Sequence, residues 1–402
     1  MSRTVVIGAG QAGRRTAELL RGLDAAREIV LVGEEEEIPY YRPPLSKDVL
    51  LGDDRPRGLV QRDTDAFASQ RIRLRTGTRV GRINLSDACV EVASGERIAY
   101  DSLVIATGAR ARALSLPASD ARVLTLRTLA DARALRARLR PGLRMAVLGA
   151  GLIGLEVAAA AIERECAVTV LEAADRVMAR CVPASVGARI ERWHRDAGVD
   201  LRLANCVQAV KSESDCLRLQ TTNGEFEVDI LLVAIGGIPN DELARDAGIE
   251  VSQGMLVDEC GRSSAPNVFA AGEVARIRKF GAICERFETW QFAQYQPVAV
   301  AHALCGSSKP YAELPWHWTD HYKHNIQILG AHSDALEWLE REEEGRHSAL
   351  GIDSDGRVKG AILINNGREV TPLRRLIAAN RPIAREHLLD ASVPFKQLSA
   401  AT

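Results

Sequence analysis

Paired cysteine is what this chain lacks. Its eight cysteines, at positions 89, 166, 181, 206, 216, 260, 284 and 305, never stand as CxxC or CxxxxC, and the nearest two are Cys206 and Cys216. Such scatter excludes a zinc framework and a local dithiol, and leaves the thiols as small apolar core residues. An excess of one charge is missing as well. The 52 basic and 53 acidic side chains nearly cancel, so no global field draws in nucleic acid, and a charged partner has to be met by a local patch. Long apolar runs are also absent. The stretch Met145 to Leu155 is broken by glycine and closed by Glu156, well short of the roughly 20 residues that span a bilayer. A first strand expected from Thr4 leaves no space ahead of it for a targeting segment, so a cytoplasmic setting is expected.

Against those absences stand two glycine-rich turns. Gly8-Ala9-Gly10-Gln11-Ala12-Gly13 follows the apolar run Val5 to Ile7, and Gly149-Ala150-Gly151-Leu152-Ile153-Gly154 follows Ala146 to Leu148. In a GxGxxG turn the first glycine makes the bend, the second lets backbone approach a pyrophosphate, and the third lets helix pack on strand; the helix N-terminus faces the phosphates. Each copy here follows a strand, opens a helix and is answered by an acid after the next strand: Glu34 for the first and Glu172 for the second. A carboxylate there takes hydrogen bonds from ribose hydroxyls and repels a 2′-phosphate, favouring NAD over NADP at the second site, with Arg176 as the nearby residue that argues the other way. Two nucleotide sites imply electron traffic between two cofactors. Of the acids from Glu34 to Glu37, three are expected to be solvated.

A chain of 402 residues exceeds what one core usually supports. The first strand–helix–strand unit is expected as Thr4 to Ile7, a helix to about Gly22, and Ile29 to Val32. The second runs from Arg144 through a helix ending near Glu165 to the strand Val168 to Leu171. Runs ending in Thr107-Gly108 and in Ile235-Gly236 mark the exit from, and return to, the first domain. The expected domains are therefore 1–110 with 237–306, then 111–236, then 307–402, the last a small α+β domain. In it, His324 to Leu329 alternates as a strand, and Ala349 to Ile352 pairs with Val358 to Ile364 across the turn Asp353 to Gly356. Thr371 caps a helix with Pro372 at its first position, and the run Glu340 to Glu344 is a solvated face or loop.

The most specific string is Pro39-Tyr40-Tyr41-Arg42-Pro43-Pro44-Leu45-Ser46-Lys47. Paired prolines predict an extended, rigid backbone that presents Arg42 and Lys47. With Leu126-Arg127-Thr128, the two glycine turns, Val268 to Gly272, Glu288-Thr289-Trp290 and Trp316-His317-Trp318-Thr319-Asp320, in that order along essentially the whole chain, the sequence resembles the flavoprotein NADH:ferredoxin reductases. These serve Rieske-type aromatic-ring dioxygenases and cytochrome P450 systems and are related to putidaredoxin reductase and biphenyl dioxygenase reductase. The resemblance implies two nested Rossmann-like, glutathione-reductase-like dinucleotide-binding domains, with FAD at the first site, NADH at the second, and a C-terminal domain over the flavin.

By the same resemblance Glu34 would hold the FAD ribose, Arg42 and Arg127 its phosphate region and Val80 its adenine, while Lys47 would lie near the ring and meet Glu156 where nicotinamide stacks. Gly8, Gly10, Ala12, Gly13, Thr107, Gly108 and Gly272 join the FAD set, and Gly149, Gly151, Ile153, Gly154, Glu172 and Gly236 the NAD set. Glu156 is read as lying in the first turn of its helix, where the dipole favours a carboxylate. The family has Asp where this chain has Glu273, one methylene longer, as the partner of a ribityl hydroxyl. Trp290, Trp316 and Trp318 are candidates to edge the flavin, with packing as the equal alternative.

The acceptor follows from what is absent. Disulfide reductases of this fold set a dithiol beside the flavin, and peroxidases and related oxidases a single thiol early in the first domain; no cysteine precedes Cys89 here. Single-electron transfer to a 2Fe-2S ferredoxin remains, with Arg276, Arg278, Lys279 and Arg286 as the candidate landing patch and a plain solvated face as the alternative. His317, His321 and His324 have a metal-like spacing but no cysteine to join them, and no metal is expected. A rubredoxin reductase, an NADH oxidase of the same fold, and a redox-responsive interaction protein resembling apoptosis-inducing factor stay open.

Overall fold

The computed structural model describes residues 2–52, 59–60, 63–114, 120–279, 282–283, 286–333 and 335–400. The chain divides into two compact units, each discontinuous in sequence. One is Met1–Arg42, Arg55–Arg110 and Gly237–Glu313; the other is Pro43–Asp54, Ala111–Gly236 and Leu314–Thr402.

In the first unit the inner strands are apolar runs buried on both faces, as a parallel sheet requires, while the edge strand Ile72–Arg75 alternates arginine with apolar residues and is buried only at Ile72. The five strands stand in the order Val268–Ala270, Ser102–Ile105, Arg3–Ile7, Glu28–Val32, Ile72–Arg75, all parallel. Helix Gln11–Leu23 rises from the first glycine turn and packs with helix Trp290–Leu304 on one face of this sheet. An antiparallel sheet of Val80–Asn84, Cys89–Val92 and Arg97–Ala99 shares the other core.

The second unit repeats the plan. Its parallel sheet runs Asp200–Arg202, Ala167–Leu171, Arg144–Leu148, Ile230–Val233, Val123–Leu124, with helix Leu152–Glu163 leaving the second glycine turn. Both parallel sheets are Rossmann-like. The same unit carries a five-stranded antiparallel sheet, Trp316–His321, His324–Gly330, Val358–Ile364, Arg346–Ile352, Glu337–Glu343, on which helix Val370–Ala379 packs.

Three local expectations are corrected. The paired prolines do not extend the chain: Pro43–Ser46 is a 3-10 turn, because the fixed φ of proline, near −65°, suits that turn as well as an extended strand. The acidic run is not a separate loop: up to Glu343 it belongs to the edge strand Glu337–Glu343, whose Leu339 and Arg341 are buried while Glu342 faces solvent, and Glu344 lies in the turn that follows. Thr371 does not cap its helix. The helix begins at Val370 with Glu369 as N-cap, after a 3-10 turn over Gly367–Glu369, so Pro372 sits third, still where a missing N–H removes no bond.

Cys89, Cys166, Cys216 and Cys260 are buried, Cys181 and Cys305 half-buried and Cys206 exposed; Cys284 lies outside the described residues.

Candidate active site

The two glycine turns have the same construction. Gly8 and Gly149 both hold φ at +105°, and a Cβ on Gly13 or Gly154 would meet the carbonyl oxygen of Gly8 or Gly149 at 1.8 and 2.0 Å. Those glycines are demanded by the protein's own packing. The middle ones are not: a Cβ on Gly10 or Gly151 would meet nothing within 4 Å, and both have extended backbone that any residue adopts. Glycine is therefore needed there only against something outside the protein that comes close to the backbone. The helices that follow have no side-chain cap and no acid in their first turn, so their first N–H groups and positive dipole ends are left for an anion. Both cradles fit a dinucleotide pyrophosphate.

Around the first cradle, Ala12 is buried and lies where a Cβ on Gly272 would strike it, at 2.4 Å. The Gly272 N–H donates to Gln296 Oε1 at 3.0 Å. Thr107 and Asn240 bond reciprocally, Oγ1 to Asn240 O at 2.7 Å and Asn240 Nδ2 to Thr107 O at 2.9 Å, and the Asn240 N–H donates to Gly108 O at 2.9 Å. Val80 is buried opposite Val92. Trp290 opens its helix behind the Thr289 cap, its ring 5.4 Å from that of Tyr41.

Glu34 is 69% exposed and faces Arg79 at 3.6 Å. Its neighbour Glu35, read from sequence as one of the solvated acids, instead accepts from Arg42 Nη2 at 2.6 Å and from the Tyr40 hydroxyl at 2.5 Å. Burial works against charge on the Arg42 guanidinium, but Tyr40, Glu35 and Glu273 outweigh it and hold the cation. Glu273, in a 3-10 turn over Gly272–Val274, thus faces Arg42 electrostatically.

At the second cradle Glu172 accepts from the Ala150 N–H at 2.7 Å and from the Ala174 N–H at 2.9 Å. The fingerprint acid is thereby fixed against the glycine turn. Arg176 donates to Val182 O at 2.7 Å, the Arg112 N–H donates to Gly236 O at 2.9 Å, and Ile153 is 45% exposed beside the turn.

Lys47 and Glu156 meet. The ammonium lies 3.1 Å from Glu156 Oε1 and 3.1 Å from Asp320 Oδ2. Burial lowers the pKa of Lys47, but Glu156 and then Asp320 raise it further, and the net shift is upward. Ser46 Oγ donates to Glu156 Oε2, and Thr319 Oγ1 donates to Oε1 at 2.7 Å. The first-turn reading of Glu156 is corrected: its helix begins at Leu152, so Glu156 is fifth and 5% exposed. Its charge is held by an ammonium and two hydroxyls more than by the dipole. Arg127 precedes a capping box in which Thr128 and Asp131 satisfy each other, and its own N–H donates to Asp131 at 3.0 Å.

Other candidates disperse. Trp316 and Trp318 lie 5.4 Å apart, the first donating to Gln327 Oε1 at 2.8 Å. His321 bonds Thr319 and His194, His324 stacks on Trp193 at 3.8 Å, and His317 meets the edge of His332. The one grouping with metal-ligand spacing among the described residues is Glu213, Cys216 and Glu227, and Arg218 already bridges its carboxylates at 2.6 and 3.0 Å. In the basic run Arg276 donates to Ser252 O, Arg278 pairs with Glu250 at 3.0 Å, Lys279 with Glu259 at 2.8 Å and Arg286 with Glu288. These four side chains thus present paired charge rather than an open positive field. No helix among the described residues is long and apolar enough to cross a membrane.

Reading by sequence gave no role to Glu35, Asn240, Ser46, Asp320, Thr319, His194 or Tyr322. Ser46 had a signal as a neighbour inside the string Pro39 to Lys47, Thr319 and Asp320 as members of the string Trp316 to Asp320, and Glu35 as one of four adjacent acids.

Comparison with known proteins agrees with this geometry. Residues 2–297 match the family model described as pyridine nucleotide-disulphide oxidoreductase, and residues 316–399 match the one described as reductase C-terminal. The ferredoxin–NAD(+) reductase component of the anthranilate 1,2-dioxygenase system of Burkholderia cepacia is 42% identical over 398 residues, 98% of each chain. The corresponding component of the p-cumate 2,3-dioxygenase system of Pseudomonas putida is 36% identical over 98% of each. Among solved structures, putidaredoxin reductase in its covalent complex with putidaredoxin superposes with a TM-score of 0.93 at 34% identity, covering 100% of this chain and 98% of that one.

Proposed function

The chain belongs to the pyridine nucleotide-disulphide oxidoreductase family, and on that footing we propose that it is the FAD-dependent reductase that takes hydride from NADH and passes single electrons to a 2Fe-2S ferredoxin. That ferredoxin feeds a terminal ring-hydroxylating oxygenase, as the names of the relatives describe for their own systems. The balance is NADH plus two oxidised ferredoxins giving NAD, two reduced ferredoxins and one proton. The carrying observation is the pair of open glycine cradles in a chain whose Lys47–Glu156 pair has the Ser46 hydroxyl beside it and whose sequence holds no cysteine before Cys89. Bound FAD supplies a carrier that accepts two electrons together and releases them one at a time.

The chain's own residues bind, orient and hold charge. Gly8, Gly10, Ala12 and Gly13 would receive the FAD pyrophosphate on their helix N-terminus, with Glu34, Arg42, Val80, Thr107, Gly108, Gly272, Glu273 and Trp290 of the same unit completing that set. Gly149, Gly151, Ile153, Gly154, Glu172 and Gly236 would receive NADH. Glu172 lies against the turn where it meets ribose hydroxyls, and Arg176, engaged with Val182, leaves it to repel a 2′-phosphate. Lys47 holds a positive charge, balanced by Glu156 and Asp320, for the hydride-transfer centre. Three functional domains follow: FAD-binding over 1–110 and 237–306, NAD-binding over 111–236, and the C-terminal domain over 307–402, in a cytoplasmic protein.

Purification followed by a flavin absorption spectrum and assay with a panel of 2Fe-2S carriers tests this reading. The expected result is a yellow protein that prefers NADH to NADPH at least tenfold and reduces a ferredoxin faster than it forms peroxide. A colourless protein that refuses FAD would overturn it, as would peroxide accounting for all the NADH consumed.

A further inference from the structure

A row of side chains leads away from Glu156 and stays buried for most of its length. Thr319 Oγ1 donates to Glu156 Oε1 at 2.7 Å and lies 2.9 Å from His321 Nε2; His321 Nδ1 lies 2.9 Å from His194 Nε2; and His194 Nδ1 lies 3.0 Å from the Tyr322 hydroxyl. Thr319, His321 and His194 are fully buried, and Tyr322 is half-buried. The row draws on three distant parts of the sequence, yet every ring nitrogen in it has one partner.

The charge at one end dictates every proton position. Glu156, facing the Lys47 ammonium, only accepts, so Thr319 donates to it and must accept from His321 Nε2–H. His321 Nδ1 is then a lone pair that accepts from His194 Nε2–H, and His194 Nδ1 accepts from Tyr322. Two neutral imidazoles are required, and burial supplies them: it pushes His194 down to about 4, and burial with His194, Lys47 and His324 nearby pushes His321 well below the ordinary value. At the outer end burial and Glu163 hold the Tyr322 hydroxyl in its protonated form.

We propose that Thr319, His321, His194 and Tyr322 are a proton wire serving Glu156, whose polarity reverses each time Glu156 gains or loses a proton. As the row stands, a proton taken from water at Tyr322 is passed by successive hops until the Thr319 hydroxyl proton reaches Glu156. Both histidines then carry their proton on Nδ1, and the row points outward, ready to return one proton by the same hops. Neither ring is charged at rest in either state. The trigger rests on the proposed function: an added negative charge when hydride arrives draws one proton in, and its departure as two electrons leave lets that proton out. These four are positioning and relay residues, not catalytic ones.

Nitrogen-15 NMR of histidine-labelled holoprotein tests the wire by tautomer rather than by turnover. In the oxidised protein at neutral pH, His194 and His321 should both be neutral Nε2–H forms, and reduction with dithionite should convert both to Nδ1–H. Thr319→Val should release the rings to mixed tautomers and abolish the switch, whereas Thr319→Ser should restore the wild-type pattern. An Nδ1–H or cationic ring in the oxidised wild type would overturn the proposal, as would tautomers unmoved by reduction or by the loss of the Thr319 hydroxyl. The oxidised pattern needs no flavin, so a colourless preparation would sink the cofactor reading and still leave the row to be judged.

Discussion

At the residue scale the Lys47–Glu156 pair is the most consequential contact. Lys47 is 19% exposed and Glu156 5%, so removing one partner leaves the other charged in a poorly hydrated place, a loss of about 3–5 kcal/mol for a buried pair. Lys47→Met should therefore lower stability by about 3 kcal/mol in urea unfolding, since Ser46 and Thr319 remain to bond the carboxylate but carry no charge. Adding Glu156→Gln should recover most of that loss, because two neutral groups no longer need each other. A Lys47→Met effect within about 1 kcal/mol, the range of an exposed pair, would count against it. The same contact shows where sequence reasoning reaches its limit. The meeting of Lys47 and Glu156 followed from resemblance, but nothing in the string near Glu34 told which of four adjacent acids takes Arg42. Only the fold turns Glu35 toward it.

At the scale of elements, what was legible was local and periodic. The glycine turns, the strands before them and the hairpin across Asp353 to Gly356 are written in neighbouring residues, and they fold as read. Glu337–Glu343 was not legible, because charge suggested solvent while the sheet needed an edge strand. Its Arg341 points inward: Nε donates to Leu388 O at 2.6 Å, Nη1 to Val393 O at 3.0 Å and Nη2 to His387 O at 2.8 Å, with Asp390 O also bonded, and the guanidinium lies 4.2 Å over the Phe395 ring. One planar fork thus closes the carbonyls of helix Arg385–Leu389 and the turn after it. Burial lowers its pKa, with Glu343, Asp390 and Glu369 working the other way. Arg341→Leu would leave those carbonyls without donors at about 1–3 kcal/mol each where water cannot reach. Hydrogen exchange over residues 385–400 should rise at least tenfold in Arg341→Leu and stay high in Arg341→Lys, whose single ammonium cannot reproduce the fork. Protection equal to wild type in the lysine variant would show that charge alone suffices.

For the molecule as a whole, the buried histidines make stability depend on pH. His194 is held neutral by burial, its pKa pushed down to about 4 from an ordinary 6.5, and His321 lies well below as well. Unfolding frees both to protonate near 6.5, so the unfolded chain binds more protons than the folded one below that pH. The stability they give is complete above about pH 6.5, falls as the pH drops, and for His194 is exhausted near its folded pKa of about 4. That shift corresponds to about 3 kcal/mol for His194 alone, at about 1.4 kcal/mol per pH unit. Of the five tryptophans, Trp193, Trp316, Trp318 and Trp338 lie in the unit that holds both histidines, so fluorescence-detected urea unfolding reports mainly on that unit. Its stability should fall by about 2 kcal/mol or more between pH 6.5 and 5, and His194→Gln should lose about one proton's worth of that slope. An equal slope in the variant would mean that His194 is protonated as readily in the folded chain as in the unfolded one, and a protonated ring at that position could not accept from Tyr322 and donate to His321 in the order that an ionised Glu156 requires.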